Sequence, residues 1–200
     1  MRLIFIRHGQ TAWNKEMRWQ GNQNTELDKT GLLQAKRAAE IVKPLNIAGI
    51  YTSPLARAAR TAAIIAHHTG APLFHIDGMR EVRLGAWEGL TTPEIMRAFP
   101  GLFQAWEEDP DANVGLGIEN YTQLQARAMD TVRSICADSK EEQLLFVCHG
   151  AWLRALLCGC LQIPLRHRMR FAVDNACFFV VEFDKENAEF NIICMNARTV

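Results

Sequence analysis

Short apolar runs recur along the chain at the length of single β-strands. They cover residues 3–6, 48–51, 144–148, 177–183 and 190–194. The first run, Leu3-Ile4-Phe5-Ile6, has no polar position, which is typical of a strand buried on both faces. The pattern therefore predicts five strands, and the last two are expected to close the fold.

Amphipathic stretches with helical spacing lie between these runs. They cover about 28–45, 53–69, 119–137 and 151–161. Asp28 or Thr30 is suited to cap the first helix, and Ser53 followed by Pro54 is suited to begin the second. Because strands and helices alternate, the sequence predicts an α/β fold, a three-layer α/β/α sandwich with a mostly parallel central sheet.

The segment from about 77 to 117 departs from this alternation. It is rich in Gly, Pro, Trp and acidic residues, and it holds one short helical pattern near 92–99. We interpret it as an insertion that covers the functional site, with Trp106 as a candidate for the pocket wall. No linker or repeat interrupts the chain, so residues 1–200 are expected to form one domain.

The charge balance argues against some classes of partner. Lys plus Arg and Asp plus Glu number 22 each, so the net charge is zero, and nothing directs the chain toward nucleic acid or an acidic membrane. The basic segment of Arg166, His167, Arg168 and Arg170 is expected to be a solvated face.

The compartment is inferred from what the chain lacks and from its cysteines. No run of about 18 apolar residues is present, and the N-terminal run lacks the features of a signal peptide. The six cysteines lie mostly within apolar runs, as expected of reduced core residues. We therefore expect a cytoplasmic protein. The sequence leaves its oligomeric state open, a dimer included.

Three strand-to-helix transitions carry polar side chains suited to bind an anion. They are Arg7-His8-Gly9 after the first strand, Ser53-Pro54 with Arg57 after the second, and His149-Gly150 after the third. In an open α/β sheet such transitions face one crevice at the carboxyl ends of the strands. The planar fork of arginine suits phosphate, and the glycines allow close approach of the backbone. A histidine at a strand end is more often structural than catalytic, so spacing alone does not separate an enzyme from an anion-binding module.

Five segments resemble, in order, the motifs of the histidine phosphatase superfamily, which includes the cofactor-dependent phosphoglycerate mutases. The segments are Arg7-His8-Gly9-Gln10-Thr11 with Trp13-Asn14, Gln20-Gly21 ahead of Leu27, Gly31 and Gln34-Ala35, Tyr51 to Ala58 with Thr61-Ala62, Arg80 to Gly89, and Val147 to Gly150. Together they span nearly the whole chain. The residues around Glu81 are similar to the phosphatase branch, and within it to α-ribazole phosphatases and broad-specificity phosphatases.

The resemblance implies a metal-independent phosphatase that needs no cofactor. It implies that His8 is the nucleophile that forms a phosphohistidine, and that Glu81 protonates the leaving oxygen, with Glu88 as the other candidate acid. A neutral imidazole needs its second nitrogen held, for which the Gly9 carbonyl is a candidate. The residues implied to surround or bind the phosphorylated substrate are Arg7, Asn14, Gln20, Gly21, Arg57, His149 and Gly150.

Two alternatives remain open, a phosphoglycerate mutase and a phosphate-ester sensor that binds without turnover. Mutases of the family are longer, and the intact set of arginines and histidines argues against the sensor. The chain departs from the family pattern at Glu26-Leu27-Asp28 and at Ile118-Glu119-Asn120, which borders the expected pocket. The expected partner is a small phosphorylated metabolite, with α-ribazole 5′-phosphate among the candidates.

Overall fold

The computed structural model describes residues 1–200, and its centre is one six-stranded sheet. The strands are β1 (Arg2–Arg7), β2 (Gly49–Thr52), β3 (Leu73–His75), β4 (Gln143–Cys148), β5 (Phe178–Asp184) and β6 (Glu189–Ala197). Their order is β3-β2-β4-β1-β5-β6; the first four are parallel, and β5 is antiparallel to both of its neighbours, β1 and β6. The mostly parallel sheet is confirmed. The pattern missed β3, a three-residue edge strand with two exposed side chains.

Helices cover both faces of this sheet. They are α1 (Ala12–Lys15), α2 (Lys29–Val42), α3 (Ala56–Thr69), α4 (Thr92–Ala98), α5 (Leu102–Glu108), α6 (Tyr121–Asp138) and α7 (Gly150–Cys160). Strand β1 sends Leu3 and Phe5 into a hydrophobic cluster with α6 and α7, and Ile4 and Ile6 into a second cluster with α2 and α3. Because alternate side chains of a strand point to opposite faces, the two clusters confirm the three-layer α/β/α sandwich.

Helix α2 begins at the cap that the sequence predicts, whereas helix α3 begins later than predicted. The Asp28 carboxylate accepts the Gly31 N–H at 2.7 Å and caps α2, so Thr30 is not the cap. Helix α3 begins at Ala56 rather than at Pro54, because the Ser53 hydroxyl accepts the Leu55 N–H at 3.3 Å and holds a turn ahead of the helix.

The region between β3 and α6 packs around aromatic side chains. It contains α4, which confirms the helix predicted near 92–99, and α5, which the pattern did not predict. Trp87 and Trp106 are fully buried, with ring centroids 5.5 Å apart. Trp19, from the loop after α1, packs edge-on against Trp106. This loop and the 77–117 region therefore form one continuous wall beside the sheet.

The basic segment after Pro164 is only partly solvated, which corrects the expectation for Arg168. Arg168 is 1% exposed, and its guanidinium carbon lies 3.9 Å from the ring centroid of Tyr121. It also pairs with Glu107 of α5 at 3.2 Å. An arginine can be buried where a carboxylate and an aromatic face replace water. None of the helices is both long enough and apolar enough to span a membrane.

Candidate active site

The predicted histidines meet where β1 and β4 end. The two strands pair in register, with Arg7 opposite Cys148, so the next residue of each, His8 and His149, emerges at the same edge of the sheet. Their ring centroids are 5.2 Å apart. The turn after β2 brings Arg57 to the same point, which confirms that the three transitions share one crevice.

His8 is held in one orientation by its own backbone. Its Nδ1 lies 2.7 Å from the Gly9 carbonyl oxygen, the contact expected from the sequence. A proton on Nδ1 makes this bond, so Nε2 is left as an acceptor, and it receives the Arg57 Nε–H at 3.2 Å. A side chain at position 9 would stand 2.5 Å from the Gly31 carbonyl oxygen, which explains the glycine there.

Burial and nearby charge keep both histidines neutral. Burial is the main cause that holds the pKa of His8 well below its usual value, and the positive charges of Arg57 and Arg7 add to it. The pKa of His149 is lowered well below its usual value by burial first and then by Arg57. A neutral imidazole with a fixed Nδ1 proton keeps its electron pair at Nε2, and for His8 that pair accepts the Arg57 Nε–H.

Arg57 ties the loop after α1 to the site. It is fully buried, and it donates to the carbonyl oxygens of Gly21 at 2.8 Å and Gln23 at 2.7 Å. Burial and the charge of Arg7 lower the pKa of Arg57 to about 10, so its charge is retained at neutral pH. One buried cation therefore fixes the position of Gly21 and reaches His8.

Arg7 and His149 have buried donors with no protein partner. Arg7 donates from Nη1 to the Val173 carbonyl at 2.7 Å, but its Nε makes no hydrogen bond. Neither ring nitrogen of His149 makes one. Buried polar groups are almost always paired in folded proteins, so unpaired donors gathered around His8 indicate a place for an anion.

Neutral side chains line the same place. Asn14 receives the Asn175 Nδ2–H at 3.2 Å, and Asn175 also donates to the His8 carbonyl at 3.0 Å. Gln20 uses its carbonyl oxygen to accept the Thr25 hydroxyl at 2.6 Å, which leaves its amide N–H groups for the pocket. Asn175 is a site residue that the sequence did not indicate, because it comes from the loop before β5 and carries no motif.

The Glu81 carboxylate lies across the first turn of α7. It accepts the N–H groups of Ala151 at 3.0 Å and Trp152 at 2.9 Å, which are unpaired donors of the helix N-terminus. Glu81 therefore stands beside His149. Glu88, the other candidate acid, accepts the Asn22 N–H at 2.9 Å and does not line the cavity.

The segment that carries Glu81 is held by a partly buried ion pair. Arg127 bonds to the Glu119 carboxylate at 2.9 Å and donates to the carbonyl oxygens of Gly78 and Arg80 at 2.9 and 2.8 Å. Within Ile118-Glu119-Asn120, which departs from the family pattern, Glu119 pairs with Arg127 and Asn120 caps α6, and none of the three residues lines the cavity described below. Asn is among the most favoured residues at an N-cap.

A cavity of about 220 Å³ opens above the histidines. The side chains that line it are Arg7, His8, Trp13, Asn14, Met17, Arg18, Trp19, Gln20, Gly21, Arg57, Glu81, Val82, Leu84, Tyr121, Gly150, Ala151, Arg154 and Met169. Every predicted site residue except His149 is in this wall, and His149 lies directly behind His8. Trp106 is not, because Trp19 and Tyr121 separate it from the cavity; the expectation that it lines the pocket is wrong.

Arg154 is the most informative lining residue that the sequence did not indicate. It follows Gly150 by one helical turn in α7, and that spacing places both on one face of the helix. The spacing itself could have revealed it. No group of three or more His, Cys, Asp or Glu side chains is placed to share a metal ion.

Proteins similar to this chain in sequence and fold include several named phosphatases. The profile of the histidine phosphatase superfamily (branch 1) matches residues 3–196. Phosphoserine phosphatase 1 of Hydrogenobacter thermophilus is 28% identical over 97% of this chain and 93% of its own length. The solved structure of a mycobacterial glucosyl-3-phosphoglycerate phosphatase in complex with VO3 has a TM-score of 0.88 and 31% identity, covering 98% of both chains.

One further solved structure bears on the α-ribazole expectation. The α-ribazole phosphatase of Shigella flexneri has a TM-score of 0.90 and covers 100% of this chain and 98% of its own. Its sequence identity is 22%, so the likeness is one of fold alone.

Proposed function

Since this chain belongs to branch 1 of the histidine phosphatase superfamily, we propose that it hydrolyses a small phosphomonoester through a phosphohistidine at His8. It is a phosphatase of phosphorylated metabolites, like the named relatives that it matches. The proposal adds the roles of individual residues. The observation that carries it is the buried, neutral His8, whose Nδ1 is held by the Gly9 carbonyl.

The first step is an in-line displacement at phosphorus. The electron pair on His8 Nε2 forms a bond to phosphorus as the ester P–O bond breaks. Arg7, Arg57 and His149 donate to the phosphoryl oxygens, which keep their negative charge through the transition state. The Arg57 Nε–H donates to His8 Nε2 at 3.2 Å in this structure, and it turns to a phosphoryl oxygen when the substrate arrives, which frees the Nε2 electron pair for attack.

Glu81 supplies and then recovers the proton. In the first step its carboxyl protonates the departing oxygen, for which it has to turn away from the α7 N-terminus toward the cavity. In the second step its carboxylate removes a proton from water as the water oxygen attacks phosphorus. The N–P bond then breaks, inorganic phosphate forms, and His8 returns to its neutral state.

The range of expected substrates is narrower than all the phosphomonoesters that this reaction could hydrolyse. The relatives named above act on phosphoserine and glucosyl-3-phosphoglycerate by their names, and α-ribazole 5′-phosphate remains a candidate through the shared fold. Turnover as a mutase and binding without turnover are the less favoured functions, because the relatives described above are named phosphatases. The unpaired cysteines agree with a reducing, cytoplasmic setting.

The test is release of phosphate from p-nitrophenyl phosphate in the presence of EDTA. We expect full turnover without added metal ion, and an acid-labile, base-stable phosphate on the wild-type protein during turnover. The substrates tested in the same way should include phosphoserine, 3-phosphoglycerate and α-ribazole 5′-phosphate. Activity that returns only with a divalent ion after metal stripping would overturn the proposed mechanism.

A further inference from the structure

The cavity holds more positive charge than one phosphoryl group requires. Four arginines line it, Arg7, Arg18, Arg57 and Arg154, against one carboxylate, Glu81. Arg18 is compensated, since it pairs with Glu16 at 2.9 Å and Glu94 at 3.0 Å. Arg7 and Arg57 face the phosphoryl position beside His8. This leaves Arg154 as the lining arginine with neither a carboxylate partner nor an assigned role.

The guanidinium group of Arg154 is held in one orientation, but no carboxylate neutralises its charge. Its Nε donates to the Phe171 carbonyl at 3.1 Å, so the plane of the guanidinium is set by the backbone. This bond uses Nε alone and leaves the edge formed by Nη1 and Nη2 free to donate. The side chain is half-buried, so water solvates its charge only in part, and a bound anion would compensate the rest.

Arg154 is also the neighbour of the phosphoryl site. The Arg154 Nη1 lies 3.8 Å from the position that a Gly150 Cβ would occupy, and the Arg7 Nε lies 3.5 Å from it. The two guanidinium groups therefore flank the same glycine. A substrate whose phosphoryl group lies beside Arg7 therefore brings the atoms a few bonds away from its phosphate ester within reach of Arg154.

We infer that Arg154 binds a carboxylate carried by the substrate close to its phosphate ester. The inference rests on the proposed function and specifies its substrate as a small phosphorylated carboxylic acid. The free Nη1–Nη2 edge matches the two oxygens of a carboxylate, and a cavity of about 220 Å³ suits a compact molecule. A nucleoside phosphate has no anionic group at this position, so it leaves Arg154 unpaired.

Two matched pairs of substrates isolate the contribution of the substrate carboxylate. Phosphoserine and phosphoethanolamine differ by the carboxylate alone, and 3-phosphoglycerate and glycerol 3-phosphate differ by carboxylate against hydroxymethyl. For the wild-type protein we expect kcat/KM to favour the carboxylated member of each pair by on the order of 10- to 100-fold, the range of a charged hydrogen bond. Arg154→Met should remove most of this preference, and Arg154→Lys should restore part of it.

The control variant is Arg166→Met, which removes an exposed arginine outside the cavity and should leave the preference intact. An equal loss on both members of each pair in Arg154→Met would show that Arg154 serves the phosphoryl group or the fold, and the inference would be wrong. Absence of any preference in the wild type would overturn it as well, while the phosphatase proposal would stand.

A binding measurement separates this inference from the proposed mechanism. Calorimetric titration of the His8→Ala protein with 3-phosphoglycerate and glycerol 3-phosphate needs no turnover. Tighter binding of 3-phosphoglycerate that disappears in the His8→Ala, Arg154→Met double variant supports the role of Arg154 even if no phosphohistidine is found. Equal binding of the two ligands to His8→Ala contradicts it.

Discussion

The inner end of the cavity and its mouth are built from different kinds of residue. At the inner end, His8, Arg57 and His149 are at most 2% exposed, and each follows a strand whose register the sheet fixes. At the mouth, Met17 and Met169 are 79% and 51% exposed; Met17 lies in the turn after α1 and Met169 in a short 3₁₀ helix, Leu165–Arg170. The inner groups are held by burial and by contacts such as those of His8 with the Gly9 carbonyl and of Arg57 with the Gly21 and Gln23 carbonyls, whereas the mouth side chains are largely exposed.

This difference separates the residues that carry out the reaction from those that select the substrate. Inner donors that are already oriented lower the barrier without reorganisation, and a change there should affect every substrate. Mouth side chains touch only the part of the substrate beyond the phosphate, so a change there should affect substrates unequally. Substitutions at the two ends should therefore differ in size and in substrate dependence.

His8→Ala should have the largest effect at the inner end. Loss of the nucleophile should lower turnover by on the order of 10⁴-fold or more for all substrates, while the thermal unfolding midpoint stays close to that of the wild type. Phosphate release and phosphoprotein trapping measure both points. Acid-labile phosphate that still formed on this variant would show that another residue is the nucleophile.

Arg57→Ala should be the next most severe. It removes a charge beside His8 and the bonds to the Gly21 and Gln23 carbonyls, so we expect a loss of about 3 to 4 kcal/mol in transition-state stabilisation, or roughly 100- to 1,000-fold in kcat/KM. Arg57→Lys keeps the charge but loses the fork and should recover only part of the activity. A decrease of only a few-fold in Arg57→Ala would contradict its place at the phosphoryl group.

Glu81→Gln should be the one substitution at the inner end whose effect on the reaction rate depends on the substrate. An alkoxide needs a proton as the P–O bond breaks, whereas p-nitrophenolate leaves without one. In single-turnover experiments, phosphohistidine formation from phosphoserine should fall by on the order of 100-fold, and formation from p-nitrophenyl phosphate should fall far less.

The control for Glu81 is Glu88→Gln, because Glu88 bonds to the Asn22 backbone and lies outside the cavity. It should slow both substrates to a similar extent. If Glu81→Gln also slowed both equally, Glu81 would serve only to hold α7 and the 77–117 region, and the acid would have to be another residue.

Acidification should weaken the inner end through its histidines. Burial first, and then nearby arginines, hold the folded-state pKa of His149 well below its usual value. Below about pH 6.5 the unfolded chain therefore takes up a proton that the folded chain does not. Stability present above that pH is lost as the pH falls, by about 1.4 kcal/mol between pH 7.5 and 5.5 for such a histidine.

Urea unfolding at the two pH values measures this effect. His149→Gln should lose about 1.4 kcal/mol less than the wild type over the same interval, and His75→Gln, which changes an exposed histidine on β3, should behave like the wild type. The same pH dependence in the wild type and in His149→Gln would show that His149 is not held neutral by burial.

Met169→Ala should have the smallest effect, and only at the mouth. The side chain is 51% exposed, so its contact with a substrate should contribute well below the roughly 1.5–3 kcal/mol of a fully buried methionine. We expect about a two- to three-fold rise in KM for the larger substrates and no change for p-nitrophenyl phosphate. Met96→Ala, on the outer face of α4, is the control. A ten-fold fall in kcat on every substrate would erase the distinction between the two ends.

Patterns between near neighbours in the chain determined five of the six strands and the inner end of the site. The run at 3–6 is apolar on both faces of β1 because both faces are covered, and the glycines after His8 and His149 mark the strand ends. Parallel strands in register bring such ends together whatever their order. Local chemistry was therefore sufficient to place Arg7, His8, Arg57 and His149 at one edge.

Only the tertiary structure decided the contacts between segments far apart in the sequence. The Glu81 carboxylate at the α7 N-terminus, the burial of Arg168 against Tyr121, and Asn175 behind His8 each join residues separated by tens of positions. The edge strand β3 and helix α5 likewise have too little local pattern and form through packing. Periodicity reports which face of an element is buried, but not which partner buries it, and that partner is chosen when the layers pack together.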